Sequence, residues 1–239
     1  MCTVSVVKLP HLLRLVANRD ELRTRPPALP PSVSNSGPLR VLAPTDPASG
    51  GTWIAVNDAG LSIALLNVNR DGDTAPEFPR SRGGIVPALM QCRTLAEVEA
   101  LASAIDSSMY SPFRLVVVHA GDGHLLEMSP ATHGARRYEL SRPHMFTSSG
   151  LGDHHVEPPR RELFEATVLN GNSDDVLERQ EGFHAHRWAD RPAVSVHMSR
   201  ADAWTVSRTV VDIEAASVTM TYCGEPGWAV RSNTLPRVA

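Results

Sequence analysis

Two short apolar runs at the start of the chain, Thr3–Leu9 and Leu12–Ala17, flank a turn signal at Pro10-His11. Each run has strand length, and the spacing predicts an antiparallel hairpin. In such a hairpin, facing residues have numbers that sum to about 20 or 21. Cys2 then lies opposite Asn18 and Arg19, with Asp20 and Glu21 just past the strand end. The thiol, the chain terminus and a compact polar cluster are expected to meet in one place. No other stretch constrains the fold and the chemistry so closely.

The remaining sequence supports a sheet-rich partner for this hairpin. Trp53–Asn57 and Leu61–Asn67 surround Asp58-Ala59-Gly60 and read as a second hairpin. Further strands are expected at Phe113–His119, Leu125–Met128, Ala135–Leu140, His144–Ser148, Ala193–Met198, Trp204–Ile213 and Val218–Tyr222. Thr94 and Glu97 form a capping box for a helix whose apolar face is Leu95, Val98, Leu101, Ala102 and Ile105. A shorter helix is expected at Pro87–Gln91, one starting at Pro158-Pro159, and another at Ser173. Residues 22–51, rich in proline and serine, read as a long loop, here taken as a lid over the site; 70–83 and the tail 225–239 also read as irregular. No linker splits the chain, so residues 1–239 are expected to form one α+β domain with two stacked antiparallel sheets flanked by helices.

Charge and cysteine content narrow the function. The 239 residues hold 23 basic and 26 acidic side chains, and the net charge of −3 argues against a nucleic-acid-binding face. No apolar run approaches the roughly 18–20 residues needed to span a membrane. Lys8, Pro10 and Arg14 interrupt the N-terminal stretch, which does not read as a secretory signal. With only three cysteines, Cys2, Cys92 and Cys223, and none at metal-site spacing, a reducing compartment is expected, the cytoplasm.

The candidate chemistry centres on Cys2. Removal of Met1 is expected because cysteine is small, and it leaves a thiol and an α-amine on one residue. The amine, with a reference pKa of about 7.7–8.0, can take the proton of a thiol near about 8.5. Arg19 would favour the thiolate, and Asp20 could hold the ammonium. Asn67 and Asn69 could supply oxyanion donors. Asn18, Ser149, Arg160, Arg161 and Arg200 are candidates for binding substrate, the arginines through an anionic group. Each has a plainer reading beside this one. A terminal cysteine can be without a role, the 18–21 cluster can be a solvated turn worth about 0–1 kcal/mol, and asparagines commonly form turns. Ser148-Ser149-Gly150 lacks the Gly-x-Ser-x-Gly elbow of a serine nucleophile. Asp153-His154-His155 and His184-Ala185-His186 fit no named metal motif, so no metal is expected.

Several segments together resemble a known family. Met1-Cys2-Thr3, Asn18-Arg19-Asp20-Glu21, Ala43-Pro44-Thr45-Asp46, Gly50-Gly51-Thr52-Trp53, Leu65-Leu66-Asn67 and Ser81-Arg82-Gly83 occur in that order, with Pro112-Phe113 and Met198-Ser199-Arg200 further on. This set resembles the NRDE family, also called the transport and Golgi organisation protein 2 family. That family is considered similar to N-terminal nucleophile hydrolases of the choloylglycine hydrolase and penicillin acylase group. The resemblance implies a four-layer αββα sandwich, a small-molecule substrate, and cleavage of a linear amide with no cofactor. It implies Cys2 as nucleophile, Asp20 as the acid that positions the amine, and Asn67 or Asn69 in the oxyanion region. Ser148-Ser149 stands where those hydrolases have a second asparagine. Only Arg19 is near the position of the arginine that precedes their aspartate, and Arg160 or Arg161 would match a later one. Animal members are associated with haem mobilisation and lipid metabolism, which implies a second reading: a carrier of haem or lipid without catalysis.

Overall fold

The computed structural model describes residues 2–69, 80–129, 134–171, 173–225 and 227–238. Met1, and most of the loop expected over 70–83 (Asp71-Gly72-Asp73, Pro76 and Pro79), lie outside the described residues. The expected N-terminal hairpin forms from β1 (Cys2–Leu9) and β2 (Leu12–Leu22). Its register pairs Cys2 with Arg19 and Thr3 with Asn18. The chain then continues through β3 (Leu29–Ser36), β4 (Leu39–Thr45), β5 (Ile54–Asn57) and β6 (Leu61–Asn67). Helices α1 (Ile85–Leu89) and α2 (Leu95–Ser103) follow, then β7 (Phe113–His119), β8 (His124–Ser129), β9 (Gly134–Glu139) and β10 (His144–Thr147). Helices α3 (Asp153–Phe164) and α4 (Val176–Ala185) precede β11 (Ala203–Glu214), β12 (Ser217–Gly224) and β13 (Ala229–Pro236).

Among the described residues the strands form two antiparallel sheets. One is six-stranded in the order β10-β1-β2-β11-β12-β13, the other seven-stranded in the order β3-β4-β5-β6-β7-β8-β9. Alternation along each strand sends every second side chain to the same face. Val4, Val6, Leu13, Leu15 and Ala17 of the first sheet meet Ile54, Val56, Ala64 and Leu66 of the second in a buried core between the sheets. On the outer face of the first sheet, Val7 and Met145 pack with Phe164, Val168, Val176 and Phe183. On the outer face of the second, Ile63, Leu65 and Leu115 pack with Ile85, Leu89, Leu95 and Val98. The result is the expected αββα layering. No helix among the described residues is long and apolar enough to cross a membrane.

Four expectations are corrected. Residues 22–51 are not a loop, because β3 and β4 occupy much of them. Pro30 and Pro31 fall where the β3–β4 register shifts, and β3 is an edge strand, the position in a sheet that tolerates proline. The tail forms β13, an edge strand whose mostly exposed polar residues hide its pairing with β12. Residues 193–198 make no strand; a short 3₁₀ turn at Pro192–Val194 takes their start. Helix α3 begins at Asp153, with Pro158 and Pro159 inside it, because Asp153 anchors the first turn by accepting the Ser149 N–H at 2.9 Å. Helix α2 starts at its Thr94 cap as expected, although Leu101 is exposed.

Candidate active site

The hairpin register decides where each residue of the 18–21 cluster points. Cross-strand partners share a face, so Cys2 and Arg19 look the same way, towards the gap between the sheets. Glu21 follows Arg19 on that face. Asn18 and Asp20 point to the other face, under α3 and α4. The cluster is therefore divided, one residue at a time, between two environments.

Cys2 and Arg19 line a cleft of about 240 Å³. The first sheet contributes Cys2, Arg19 and Glu21; the second contributes Leu65 and Asn67; loops add Arg25, Asp46, Thr52, Trp53 and Arg82. The Arg19 guanidinium stacks 4.5 Å above the Trp53 ring. It also pairs with Glu21 at 3.0 Å and Asp46 at 3.2 Å. Arg25 pairs with Asp46 at 2.6 Å and with Glu21 at 3.6 Å. Burial pushes the Asp46 carboxyl up, but its bonds from Arg25 and the Ala48 N–H outweigh this and hold it below the usual range. Asn67 sits at the end of β6 with its side-chain amide making no hydrogen bond among the described residues, available to a ligand. Burial pushes the Cys2 thiol up, so its resting form is the neutral thiol.

The outer face is a closed polar layer. Asp20 accepts a hydrogen bond from the Thr205 hydroxyl at 2.6 Å. A bulge between Thr205 and Ser207 in β11 turns Thr205 to this face, whereas Ser207 faces Arg19. Burial pushes the Asp20 carboxyl up, against the opposing pull of Arg160 and the Thr205 bond. Arg160 of α3 is fully buried and donates to Thr3 Oγ1 at 2.8 Å, Thr147 Oγ1 at 2.7 Å, and the carbonyls of Ser195 and Val194 at 2.6 and 3.0 Å. Between the two faces, the Cys2 N–H donates to Ser148 Oγ at 3.1 Å, and the Ser148 N–H donates to the Cys2 carbonyl at 2.8 Å.

Of the expected site residues, Cys2, Arg19 and Asn67 share the cleft. Asp20 stands behind Cys2 rather than beside its thiol. The others lie elsewhere, for local reasons. Asn18 is fully buried and donates to the carbonyls of His184 and Val196. Asn69 bonds to Asp153 through its backbone N–H at 3.4 Å and its side chain at 3.5 Å. Ser149 caps a turn by accepting from the Leu151 N–H. Arg160 is spent on internal bonds, Arg161 pairs with Glu157 on the exposed side of α3, and Arg200 pairs with Asp202 at 3.1 Å. Sequence reading assigned no role to Arg25, Asp46, Trp53 or Arg82. The segments of Asp46, Trp53 and Arg82 carried the family resemblance, and that was the available signal; Arg25 had none.

Solved structures with the same architecture are N-terminal nucleophile hydrolases. An N-acylethanolamine-hydrolyzing acid amidase ortholog from Caenorhabditis elegans aligns with a TM-score of 0.57 and 12% identity, over 87% of this chain and 92% of that one. Two variants of the conjugated bile acid hydrolase from Clostridium perfringens align with TM-scores of 0.53 and 0.56 at 9% and 11% identity, each over 100% of this chain and 97% of that one. These likenesses define an N-terminal nucleophile hydrolase-like fold. No curated protein matches the chain. The chain belongs to the Transport and Golgi organisation 2 family, whose model matches residues 1–194.

Proposed function

We propose that this cleft is the site of a cysteine amidohydrolase that cleaves a linear amide of a small acyl compound. The observation that carries this reading is that Cys2, from one sheet, and the unengaged amide of Asn67, from the other, line a single cleft. After loss of Met1, the Cys2 nitrogen bonded to Ser148 becomes the α-amine. A buried thiol held in its neutral form needs a base at hand, and this amine takes the proton as sulfur attacks the carbonyl. Asn67 donates to the oxyanion. The amine then gives the proton to the departing nitrogen, the C–N bond breaks, and a thioester remains on Cys2. Water, deprotonated by the same amine, releases the acid and restores the thiol. Asp20, behind Cys2, and the Arg160 layer fix the strand end that carries the nucleophile.

Carriage of haem or lipid is the weaker reading. Such ligands favour apolar walls, and five charged side chains line this cleft. One domain over residues 1–239 fits the pairing of β13 into the first sheet. A cytoplasmic setting fits the free state of all three cysteines.

Intact mass spectrometry of the N-terminus is the first test, and a retained Met1 overturns the mechanism. With Met1 absent, Cys2→Ser is expected to abolish turnover across a panel of N-acyl amides. Haem binding unchanged in Cys2→Ala, with no amide hydrolysed by the native chain, would establish the carrier instead.

A further inference from the structure

Three guanidinium groups line the cleft beside Cys2, against two carboxylates. Arg19 and Arg25 share Glu21 and Asp46 in a closed network of ion pairs. Arg82 is the surplus cation. Among the described residues no carboxylate lies within ion-pair distance of it, and its hydrogen bond goes to the Pro112 carbonyl, from Nη1 at 2.9 Å. That uses one of the five N–H donors a guanidinium carries. A half-buried cation facing a cleft, with no carboxylate in ion-pair contact among the described residues and Glu21 acting on it only through space, is costly to keep unless a ligand supplies further charge.

The backbone around Arg82 is held on several sides. The Thr52 N–H donates to the Gly83 carbonyl at 3.1 Å, and the Arg80 N–H donates to the Met109 carbonyl at 3.1 Å. Ser81 Oγ accepts from the Gly83 N–H at 3.2 Å. Gly51 lies so close that a Cβ there would sit 2.3 Å from the Gly83 oxygen. The head group is placed as firmly as the backbone. The Pro112 carbonyl that receives Arg82 also accepts the Val68 N–H at 3.0 Å, and the next residue, Phe113, pairs with Asn67 in the β6–β7 ladder. Arg82 and Asn67 are thus tied to the same two-residue segment at one end of the cleft. A planar fork with free donors, lining the same cleft as Asn67, is suited to a carboxylate.

We propose that Arg82 is the specificity residue of this cleft and receives a carboxylate of the substrate, so that the site selects amides carrying a free carboxylate near the scissile bond. The word substrate rests on the hydrolase reading above; the anion site does not. The carboxylate belongs either to the amine half of the amide, as in an N-acyl amino acid, or to the acyl half, as in a dicarboxylic acid monoamide.

Cys2 itself reports on the anion site without turnover. Native protein is alkylated with anionic iodoacetate and with neutral iodoacetamide, and the Cys2 adduct is measured by peptide mass spectrometry, apart from Cys92 and Cys223. The iodoacetate-to-iodoacetamide rate ratio at Cys2 is expected to fall roughly 10- to 100-fold in Arg82→Gln, the range for losing a hydrogen-bonded charge. Arg82→Lys, which keeps the charge, is expected to retain most of the ratio, and thermal melts confirm that both variants fold. An unchanged ratio in folded Arg82→Gln overturns the proposal.

Turnover is then compared on N-butyrylglycine, on N-propylsuccinamic acid and on the methyl ester of each. The native enzyme should prefer one acid over its ester, with the preference carried by KM and lost in Arg82→Gln; which acid is preferred assigns the half. Equal turnover of acids and esters overturns the proposal and leaves the hydrolase reading standing. A ratio that shifts at Cys2 while no amide is cleaved keeps the anion site and removes the hydrolase reading.

Discussion

Arg19 and Asp20 are neighbours in sequence and lie on opposite faces of one sheet, Arg19 over Trp53 in the cleft and Asp20 bonded to Thr205 beneath the helices. Their substitutions should therefore separate. Asp20→Asn disturbs the buried bond from the Thr205 hydroxyl and removes a carboxyl that faces the field of Arg160, a loss of about 1–3 kcal/mol. Arg19→Gln leaves that layer intact and disturbs the cleft, so its effect is expected in Cys2 labelling. Urea unfolding and iodoacetamide labelling of the two variants should rank them in opposite order.

Asn67 gives a cleaner separation of chemistry from stability. Its side chain makes no hydrogen bond among the described residues, so Asn67→Ala should change the unfolding free energy little. If it donates to the oxyanion, kcat should fall by about 10²–10³. Asn69→Ala, outside the cleft, should leave kcat near the native value. Steady-state kinetics on any turned-over amide compares the two.

Gly51 is required by close approach rather than by backbone conformation. Alanine there would press a methyl group into the backbone of Gly83, which cannot swing aside as a side chain would. Overpacking of this kind costs about 1–3 kcal/mol. Gly51→Ala should lower the melting temperature and, by parting the two loops that wall the cleft, speed alkylation of Cys2.

Acid should unfold the protein partly through His184. Its Nδ1 lies 3.2 Å from Asn18 Oδ1 and its Nε2 lies 2.7 Å from the Ser5 hydroxyl, which also accepts from Gln180. Asn18 spends its NH₂ on two carbonyls, so its oxygen accepts from a protonated Nδ1, and Nε2 accepts from Ser5. This arrangement satisfies the neutral imidazole. Burial, with Arg208 and Arg160 adding to it, lowers its pKa from 6.5 to about 3. The folded pKa is below the unfolded one, so the stabilisation is complete above about pH 6.5 and is lost as pH falls towards about 3. One proton corresponds to a slope of about 1.4 kcal/mol per pH unit. Urea titrations between pH 7 and 4 should show His184→Gln to be less stable at pH 7 and flatter by about that slope.

The parts legible in the sequence were those in which local signals agreed. Both central hairpins had clear turns between apolar runs, and the sum rule for β1 and β2 already paired Cys2 with Arg19. The same rule implied that Asn18 and Asp20 face away from Cys2, yet four adjacent polar residues read more readily as one cluster. The edge strands β3 and β13 were hidden because each has one solvent-facing margin and few buried residues; β13 buries only Leu235. The bulge that turns Thr205 towards Asp20 leaves no mark in the alternation of β11. Arg82 was out of reach for another reason: the bonds that aim it come from Thr52, Met109 and Pro112, far away in sequence.

The six-stranded sheet has a consequence for how the protein is made. The N-terminal hairpin lies between β10 and β11, strands from residues 144–147 and 203–214. The hairpin is therefore synthesised well before either of its neighbours. Until then β1 and β2 can pair only with each other, and their outer edges stay open to foreign strands. Cys2 stays uncovered throughout that wait, and Ser148 can close on its nitrogen only when the chain has been made as far as β10. Synthesis order thus places the pairing of β1 with β2 ahead of the assembly of the cleft around Cys2.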